Sequence, residues 1–408
     1  YDLIHTQVKI AKYRKVVSKK EGEMYQLVFN LTPFYPEGGG QVGDKGYLEA
    51  PNGDVTYVVD TKKENNEIIH FTNTLPKDPA QNFKASVDQK QRDRTSKNHT
   101  ATHLLHEALR DVLGTHVEQK GSSVHSKYLR FDFSHFSKVS TDQLAEIERY
   151  VNARIDAHIP LEEERNMPIA AAQAAGAMAL FGEKYGDTVR CIRFGKSVEL
   201  CGGTHVKNTG DIWQFKIKAE SAVASGIRRI EAITSDAVKD HYQQTDKTLQ
   251  GVMDVLQIHT DPIQAIAKLQ EEQHQLKTLL ASLQKEKAGD VGKELTAAFT
   301  EVNGVRFLAA EVTLDAAAMK DLCFELGANS DNTFMLLGSS HEGKALLSCY
   351  ISKELVAAKS LNAGQVVREL GKHIQGGGGG QPFFATAGGK NPAGIPEAIS
   401  AAKSYIDS

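Results

Sequence analysis

The sequence has little cysteine and no long apolar segment, and each absence excludes a class of protein. Only four of its 408 residues are cysteines, and they show none of the short spacings of a disulfide framework. Disulfide-stabilised secreted domains are therefore excluded, and we expect a reducing compartment, the cytoplasm. No apolar run approaches the roughly 18–20 residues of a transmembrane helix, and the sequence shows no signal-peptide pattern. We expect no membrane partner.

The sequence also lacks an excess of charge of either sign. Lysine and arginine number 48 against 51 acidic residues, which gives a formal net charge of -3. This near balance excludes a general electrostatic attraction to nucleic acid, so any RNA contact must come from local basic patches. The length predicts two or three domains. Because the chain begins at Tyr1 and enters strand-like sequence at once, we expect it to be a piece of a longer polypeptide.

A third absence concerns the histidine pair in Asn98-His99-Thr100-Ala101-Thr102-His103. Apolar residues recur at helical period across 95–113, so the two histidines project from one face of a helix. A zinc metalloprotease needs a glutamate directly after the first histidine. Thr100 occupies that position, so this class of enzyme is excluded.

The second pair of donors lies in Cys201-Gly202-Gly203-Thr204-His205. The glycines predict a tight loop rather than a helix interior. Together with His99 and His103, Cys201 and His205 form a Cys/His3 set of the kind that zinc prefers. The ordinary alternative is coincidence, since the chain has 15 histidines. The long separation of the pairs is unlike a compact zinc finger, and it predicts a site assembled by the fold.

We predict a multidomain α+β and α/β protein of four parts. Residues 1–90 form a β-barrel with a glycine-rich loop, because short β-prone runs alternate with turn residues. Residues 91–235 form a mixed α+β domain around the zinc site. Residues 236–300 carry an approximate heptad seam, which predicts a helical hairpin that is either an arm or a dimerisation coil. Residues 301–408 form a further α/β module.

Two glycine runs stand out against this background. Gly38-Gly39-Gly40 lies beside Gln41, which favours a functional loop over a flexible hairpin tip. The second run extends from Gly376 through Gly377 and Gly378 to Gly380, with Lys390 following. Such a run beside a lysine suits contact with phosphate or sugar, but it can equally be a linker.

The paired motifs resemble the editing domain of alanyl-tRNA synthetases, and the last module is similar to the C-Ala domain of that family. Further stretches fit the same family: 38–41, 119–122, 130–135 and 225–232. The resemblance covers nearly the whole chain. The class II core that charges tRNA shows no motif in this sequence, so we expect no synthesis of alanyl-tRNA here.

This resemblance implies hydrolysis of serine, and also glycine, from mischarged tRNA(Ala). It implies tRNA(Ala) as partner through the C-terminal domain. The donor set itself predicts one zinc ion. A homodimer through the hairpin or the C-terminal domain stays one of the alternatives. The alternative is a non-catalytic tRNA-binding or oligomerisation module with a structural zinc. A closed four-ligand shell is typical of structural zinc, so we favour zinc as an anchor for the aminoacyl group over activation of water.

Several residues are candidates for this chemistry. Thr102 and Gln119 are expected to form polar walls of the catalytic pocket, and Gln41 to reach it from the barrel side. Arg228 is a candidate for holding the terminal adenosine phosphate. Each proposal has an ordinary alternative: Thr102 can bond its own helix backbone, and Arg228 can form a surface ion pair.

Overall fold

A computed structural model describes residues 2–18, 22–178, 186–328 and 331–407. The chain divides into two compact units, Tyr1–Gly251 and Val252–Ser408. Within the described residues, no helix is long and apolar enough to cross a membrane. The predicted parts 1–90 and 91–235 both fall within the first unit, and the four-part division of the chain stays a prediction.

The first unit begins with a closed β-barrel, which confirms the fold predicted for the N-terminal part. Its strand order is β1-β2-β5-β4-β3-β6, and each pair in it is antiparallel. Alternating residues such as Leu27, Leu48 and Phe83 fill the interior, as strand geometry requires. The strands are β1 His5–Ser18, β2 Gly22–Phe29, β3 Gly46–Glu49, β4 Val55–Glu64, β5 Glu67–Thr72 and β6 Asn82–Val87.

The remainder of this unit packs two sheets and a long helix. A four-stranded sheet has the order β12-β13-β8-β7, and a three-stranded sheet the order β11-β10-β9. Leu105, Phe131 and Ile147 are among the side chains of their common core. The elements are α1 Gln89–Leu113, β7 Gln119–Val124, β8 Leu129–Ser134, α2 Thr141–Asp156, β9 Glu162–Pro168, α3 Ile169–Ala174, β10 Thr188–Phe194, β11 Ser197–Leu200, β12 Phe215–Ala224, β13 Ile227–Thr234 and α4 Asp236–Leu256.

Helix α1 begins earlier than the periodicity predicts. The Asp88 side chain caps it by accepting a hydrogen bond from the Gln91 amide at 3.0 Å. Arg92 in its first turns is buried rather than solvated, because its guanidinium pairs with Asp44 and donates to the Pro33 carbonyl at 2.6 Å. The start of the helix is thereby fixed to the loop of the barrel.

The glycine loop of the barrel is not a free hairpin tip. Its Gly40 carbonyl accepts a hydrogen bond from Val124 N at 2.7 Å, and Val42 N donates to the Val124 carbonyl at 3.1 Å. Gly40 has φ +82, and a Cβ there would lie 2.1 Å from Ser122 Oγ. Only glycine allows so close an approach, so the loop docks on the edge of β7.

The second unit is built on a six-stranded sheet of order β14-β15-β16-β17-β19-β18. Its strands pair antiparallel except for the parallel pair β15 and β16. Phe334, Leu347 and Val367 belong to its core. The elements are α5 Pro262–Ala297, β14 Thr300–Val302, β15 Val305–Val312, α6 Ala316–Gly327, β16 Thr333–His341, β17 Lys344–Ile351, α7 Lys353–Lys359, α8 Ala363–Leu370, β18 Gly376–Gln381, β19 Phe384–Gly389 and α9 Ile395–Ala401.

The five-glycine run is a strand rather than a linker. It forms most of β18, the strand at the end of the sheet order, and pairs with β19. A Cβ at Gly376 would lie 2.0 Å from the Gly388 carbonyl oxygen, and one at Gly378 would lie 2.4 Å from that of Thr386. A Cβ at Gly377 would have open space. Contact of this strand, and of Lys390 beyond β19, with phosphate or sugar stays a prediction.

Two helices occupy the region of the predicted hairpin. Asp261 caps α5 through Ile263 N, and Pro262 is its first residue, as the sequence predicts. Apolar side chains of the predicted seam are exposed on this helix, with Ile263 76% and Leu276 66% exposed. An antiparallel pairing of the helices and a dimer through them stay predictions.

Candidate metal centre

The structure brings His99, His103, Cys201 and His205 together as a group that could hold a metal ion. One donor atom from each lies within 4.8 Å of the others. The Cys201 Sγ is 3.4 Å from His99 Nε2 and 3.3 Å from His205 Nε2. A tetrahedral shell with ordinary metal–nitrogen and metal–sulfur bonds places sulfur and nitrogen about 3.6 Å apart. The Cys201 sulfur and the nitrogens of His99 and His205 therefore lie near coordination spacing, and the His103 donor lies within 4.8 Å of them.

Local structure explains this convergence. His99 and His103 are one turn apart on α1, so they project from the same face of the helix. Cys201 and His205 belong to the loop that follows β11. A Cβ on Gly203 would lie 2.0 Å from His99 Cε1, so the glycine lets the loop approach the helix. The two donor pairs therefore form one site only because the loop packs on α1.

The electrostatics of the group favour metal ligation. His99, His103 and Cys201 are buried, and His205 is half-buried. Burial lowers the pKa of His99 and of His205 well below the usual value, and nearby His103 and Arg190 lower both further. Burial also lowers the pKa of His103. These imidazoles are therefore neutral near pH 7, and the neutral ring is the form that binds a metal.

Gln41 fixes His99 from the barrel side. Its Oε1 accepts hydrogen bonds from His99 Nδ1 at 2.8 Å and from Thr204 N at 2.8 Å. Its Nε2 donates to Thr204 Oγ1 at 3.0 Å, and the residue is fully buried. The Thr204 amide sets the orientation of the carboxamide, so Nδ1 of His99 carries the proton and Nε2 stays free for an ion.

Thr100 contacts His205 at the corresponding ring nitrogen. Its Oγ1 lies 3.0 Å from His205 Nδ1 and accepts a hydrogen bond from Val206 N at 3.2 Å. In the sequence, Thr100 is noticeable only because it replaces a protease glutamate. Its position next to His99 on the helix was the one available signal for a supporting role.

His103 tests whether the group fits an ion. Its Nδ1 is buried and has no hydrogen-bond partner, whereas its Nε2 lies 3.5 Å from Glu199 Oε2. An unpaired buried nitrogen is costly in a folded protein. A metal ion is the natural partner for such a nitrogen beside a thiol and two neutral imidazoles, so the donor set fits a soft or borderline metal.

Arg190 on β10 holds the loop from the opposite side. Its guanidinium donates to the Cys201 carbonyl at 2.9 Å and to the Gly203 carbonyl at 2.6 Å. Glu163 on β9 pairs with it at 2.7 Å. Arg190 and Glu163 had no signal in the sequence, because their role depends on how two strands meet the loop.

The other predicted pocket residues are placed as follows. Thr102 is buried, and its Oγ1 donates to the Asn98 carbonyl at 2.9 Å, which is the backbone bond of the ordinary alternative. Gln119 on β7 is half-buried, and its Nε2 donates to Ser122 Oγ at 3.3 Å. Arg228 pairs with Glu220 at 2.5 Å with its side chain 14% exposed. The pair is mostly buried, because the hairpin of β12 and β13 encloses it.

Two clefts reach the metal group. One, of about 510 Å³, is lined by Cys201, Gly202 and Thr204 together with residues of the glycine loop. The other, of about 590 Å³, is lined by Thr204 and His205 and by side chains of both charges: the cationic Arg92, Lys97, Arg165, Arg190 and Lys207 and the acidic Asp2, Asp93, Glu163 and Asp211. The predicted tRNA-binding residues Gly376, Gly377, Gly378 and Lys390 belong to the second unit.

Three family models match the chain. "Threonyl and Alanyl tRNA synthetase second additional domain" matches residues 189–231, which contain Cys201 and His205. "DHHA1 domain" matches residues 304–408. "tRNA synthetases class II (A)" matches residues 1–91, which form the barrel. The motifs alone did not indicate that last relation.

Curated relatives match the chain along its whole length. The alanine-tRNA ligase of Christiangramia forsetii is 61% identical over 406 residues, covering 100% of this chain and 47% of the relative. That of Flavobacterium psychrophilum is 53% identical over 414 residues, with 100% and 47% covered. That of Porphyromonas gingivalis is 45% identical, with 98% and 46% covered. The chain spans about half the length of these relatives, and the resemblance inferred from the motifs is confirmed.

Solved structures are also similar to parts of the chain. One of them is the C-Ala domain from Aquifex aeolicus alanyl-tRNA synthetase, 26% identical, which covers 27% of this chain and 98% of that chain with a TM-score of 0.26.

Proposed function

We propose that this chain, which matches alanine-tRNA ligases over about half their length, hydrolyses the ester joining serine or glycine to tRNA(Ala). The observation that carries the proposal is the group His99, His103, Cys201 and His205, whose half-buried member opens on a cleft lined by side chains of both charges, with Lys97 and Lys207 among them. This arrangement places a metal group where the end of an RNA strand could enter.

Zinc is the ion that suits these donors. One thiolate and three neutral imidazoles are typical zinc ligands. When bound, zinc would supply a fixed positive charge that anchors and orients the aminoacyl ester. Gln41 holds the His99 ring in the tautomer that binding requires, and Thr100 contacts Nδ1 of the His205 ring. Arg190 holds the loop carbonyls of Cys201 and Gly203.

The RNA would enter beside His205. Lys97 and Lys207 line that cleft, and neither has an ion pair or a side-chain hydrogen bond among the described contacts. Arg165, by contrast, is paired with Asp2 and Glu163. The two lysines are therefore available for backbone phosphates of the RNA. Arg228 is a weaker candidate than the sequence suggested, because Glu220 already neutralises it.

Discrimination against alanine would come from the serine hydroxyl. A pocket that hydrogen-bonds this hydroxyl leaves buried polar groups unpaired when alanine binds, and this rejects alanine more strongly than size can. Gln119 remains the candidate donor, since its amide makes only a long bond to Ser122. The Thr102 hydroxyl donates its proton to the Asn98 carbonyl, so it can only accept a hydrogen bond from the substrate.

The second unit is proposed to bind tRNA(Ala), which the match to the DHHA1 family over 304–408 supports. Strand β18 with Gly376, Gly377 and Gly378, and Lys390 beyond β19, are the candidate contacts. A homodimer through α5 or this unit, and a cytoplasmic location, also stay proposals.

A second candidate function is an RNA-binding module with a structural zinc and no hydrolysis. Four protein donors grouped within 4.8 Å favour it, because closed shells are usually structural. One assay separates the two. The zinc-loaded protein is incubated with serine-charged, glycine-charged and alanine-charged tRNA(Ala), and amino-acid release is followed. We expect faster release of serine and glycine than of alanine, and absence of any release would leave only the structural role.

A further inference from the structure

Beside the four metal donors lies a buried carboxylate that is not one of them. Glu199 is on β11, two residues before Cys201, and is 4% exposed. Its Oε2 lies 3.5 Å from His103 Nε2 and its Oε1 lies 3.1 Å from His106 Nδ1. Among the described residues, no lysine or arginine pairs with it. A buried carboxylate without a cation is costly, so its position needs an explanation.

The contacts of Glu199 are two imidazole rings, those of His103 and His106. A divalent cation held by His103 would place a positive charge one ring away from the carboxylate. The two positive charges of zinc would then be balanced by the Cys201 thiolate and the Glu199 carboxylate, which leaves the buried group neutral overall.

The contacts of the Glu199 carboxylate fix its orientation. His106 Nδ1 lies within hydrogen-bond distance of Oε1, and the His106 ring lies against Phe131, with ring centroids 5.2 Å apart. This contact fixes one end of the carboxylate. The other oxygen faces His103 Nε2, and the remaining ring nitrogen, Nδ1, is the buried atom without a partner.

We propose that Glu199 is a positioning residue that orients His103 for the metal, with His106 holding Glu199 in place. In this arrangement Glu199 Oε2 accepts a hydrogen bond from His103 Nε2–H, which leaves Nδ1 for the ion. Carboxylates that hold ligand histidines in this way stabilise the bound metal and raise the basicity of the ligand. The inference rests on the proposed metal site and deepens the proposed function.

The test is the zinc affinity of Glu199→Gln, measured by competition with a chromophoric chelator. Loss of such a partner typically weakens metal binding roughly 10–100-fold, and we expect a decrease of that size. The cobalt-loaded variant should also show shifted visible absorption bands, because the His103 ligand is reoriented. The matched control is Glu164→Gln on β9 of the same sheet, where an exposed carboxylate is removed; it should bind zinc as the parent does.

Unchanged zinc affinity and an unchanged cobalt spectrum in Glu199→Gln would overturn the proposal. If that variant does not fold, His106→Asn and His106→Leu replace it, because asparagine keeps a donor toward Glu199 and leucine removes it. Equal zinc affinity in these two variants and the parent would also overturn it. A parent protein that binds zinc but releases no amino acid, together with weak binding in Glu199→Gln, would refute only the proposed hydrolysis.

Discussion

Gln41 Oε1 accepts a hydrogen bond from His99 Nδ1 at 2.8 Å across 58 residues of sequence. The bond joins the glycine loop of the barrel to the metal group. Because Gln41 is fully buried and also holds Thr204, it connects both halves of the donor set. The barrel therefore contributes a residue to the candidate metal centre, and changes in its loop should alter metal binding there.

Gln41→Ala should weaken zinc binding by roughly 10–100-fold, as loss of a partner to a ligand histidine does. It should also lower the free energy of unfolding by about 1–3 kcal/mol, because Thr204 and His99 lose buried hydrogen bonds. Chelator competition and urea unfolding measure the two effects. Gln7→Ala, at an exposed position on β1, is the control. Parent-like zinc affinity in Gln41→Ala would show that the bond does not support the site.

Cys201→Ala should lower zinc content and hydrolysis together, because the thiolate is the one sulfur donor of the group. Binding of tRNA through the second unit should survive. Zinc is measured by metal analysis, and hydrolysis with serine-charged tRNA(Ala). Cys349→Ala removes a buried thiol of the second unit and should leave zinc content unchanged. Full hydrolysis by zinc-free Cys201→Ala would refute the site assignment.

Gly203→Ala should abolish tight zinc binding, since a Cβ there would lie 2.0 Å from His99 Cε1. The loop or the histidine must move, and the four donors then no longer converge. Gly251→Ala is the matched control: it lies within α4, a Cβ there meets no atom within 4 Å, and alanine should stabilise the helix by up to ~1 kcal/mol. Retained zinc affinity in Gly203→Ala would contradict the close packing of loop and helix.

The barrel should lose stability in mild acid because of His70. Burial lowers the pKa of His70 from 6.5 to about 4, although the Leu27 carbonyl at its Nδ1 acts in the opposite direction. In the unfolded chain, His70 is therefore protonated as the pH falls below about 6.5, whereas in the folded barrel it is protonated only near pH 4. Stability falls as the pH decreases through this window, by about 3 kcal/mol in total.

The measurement compares the parent with His70→Gln by urea unfolding between pH 7 and pH 4, followed through Trp213, the one tryptophan of the chain. His70→Gln should be less stable at pH 7, because Thr32 loses its 2.7 Å bond to Nε2, but its stability should decline less in acid. If the free energy of unfolding fell equally with decreasing pH in both proteins, His70 would not be the group responsible.

Lys97→Ala and Lys207→Ala should each raise the KM for serine-charged tRNA(Ala) with little change in kcat, because the lysines are proposed to contact phosphates and not the ester. Each loss should reduce the salt dependence of binding by about one phosphate contact. Lys77→Ala on the barrel surface, where Lys77 pairs with Asp54, is the control. Arg228→Ala should instead reduce stability, because it leaves Glu220 buried without its cation. A raised KM in Arg228→Ala alone would favour the original assignment to Arg228.

The sequence predicted those parts of the molecule that depend on neighbouring residues. The four-residue spacing of His99 and His103 determines that they share a helix face, and the glycines between Cys201 and His205 determine a loop. The short β-prone runs of the first ninety residues likewise predicted the barrel, which the structure confirms. These are properties of local periodicity and turn chemistry, and they need no knowledge of the rest of the fold.

Only the tertiary structure decided which residues support the donors. Gln41 and His99 are separated by 58 residues of sequence, Thr100 and His205 by 105, and Glu199 and His103 by 96. No local pattern in the sequence encodes contacts over such separations. The structure also shows that the Thr102 hydroxyl donates to a carbonyl of its own helix and that Arg228 forms an ion pair with Glu220. The glycine run at 376–380 became a strand because β19 supplies its hydrogen bonds, not because glycine favours one. Local sequence patterns therefore identify the candidate metal ligands, whereas the residues that hold those ligands are determined by long-range packing.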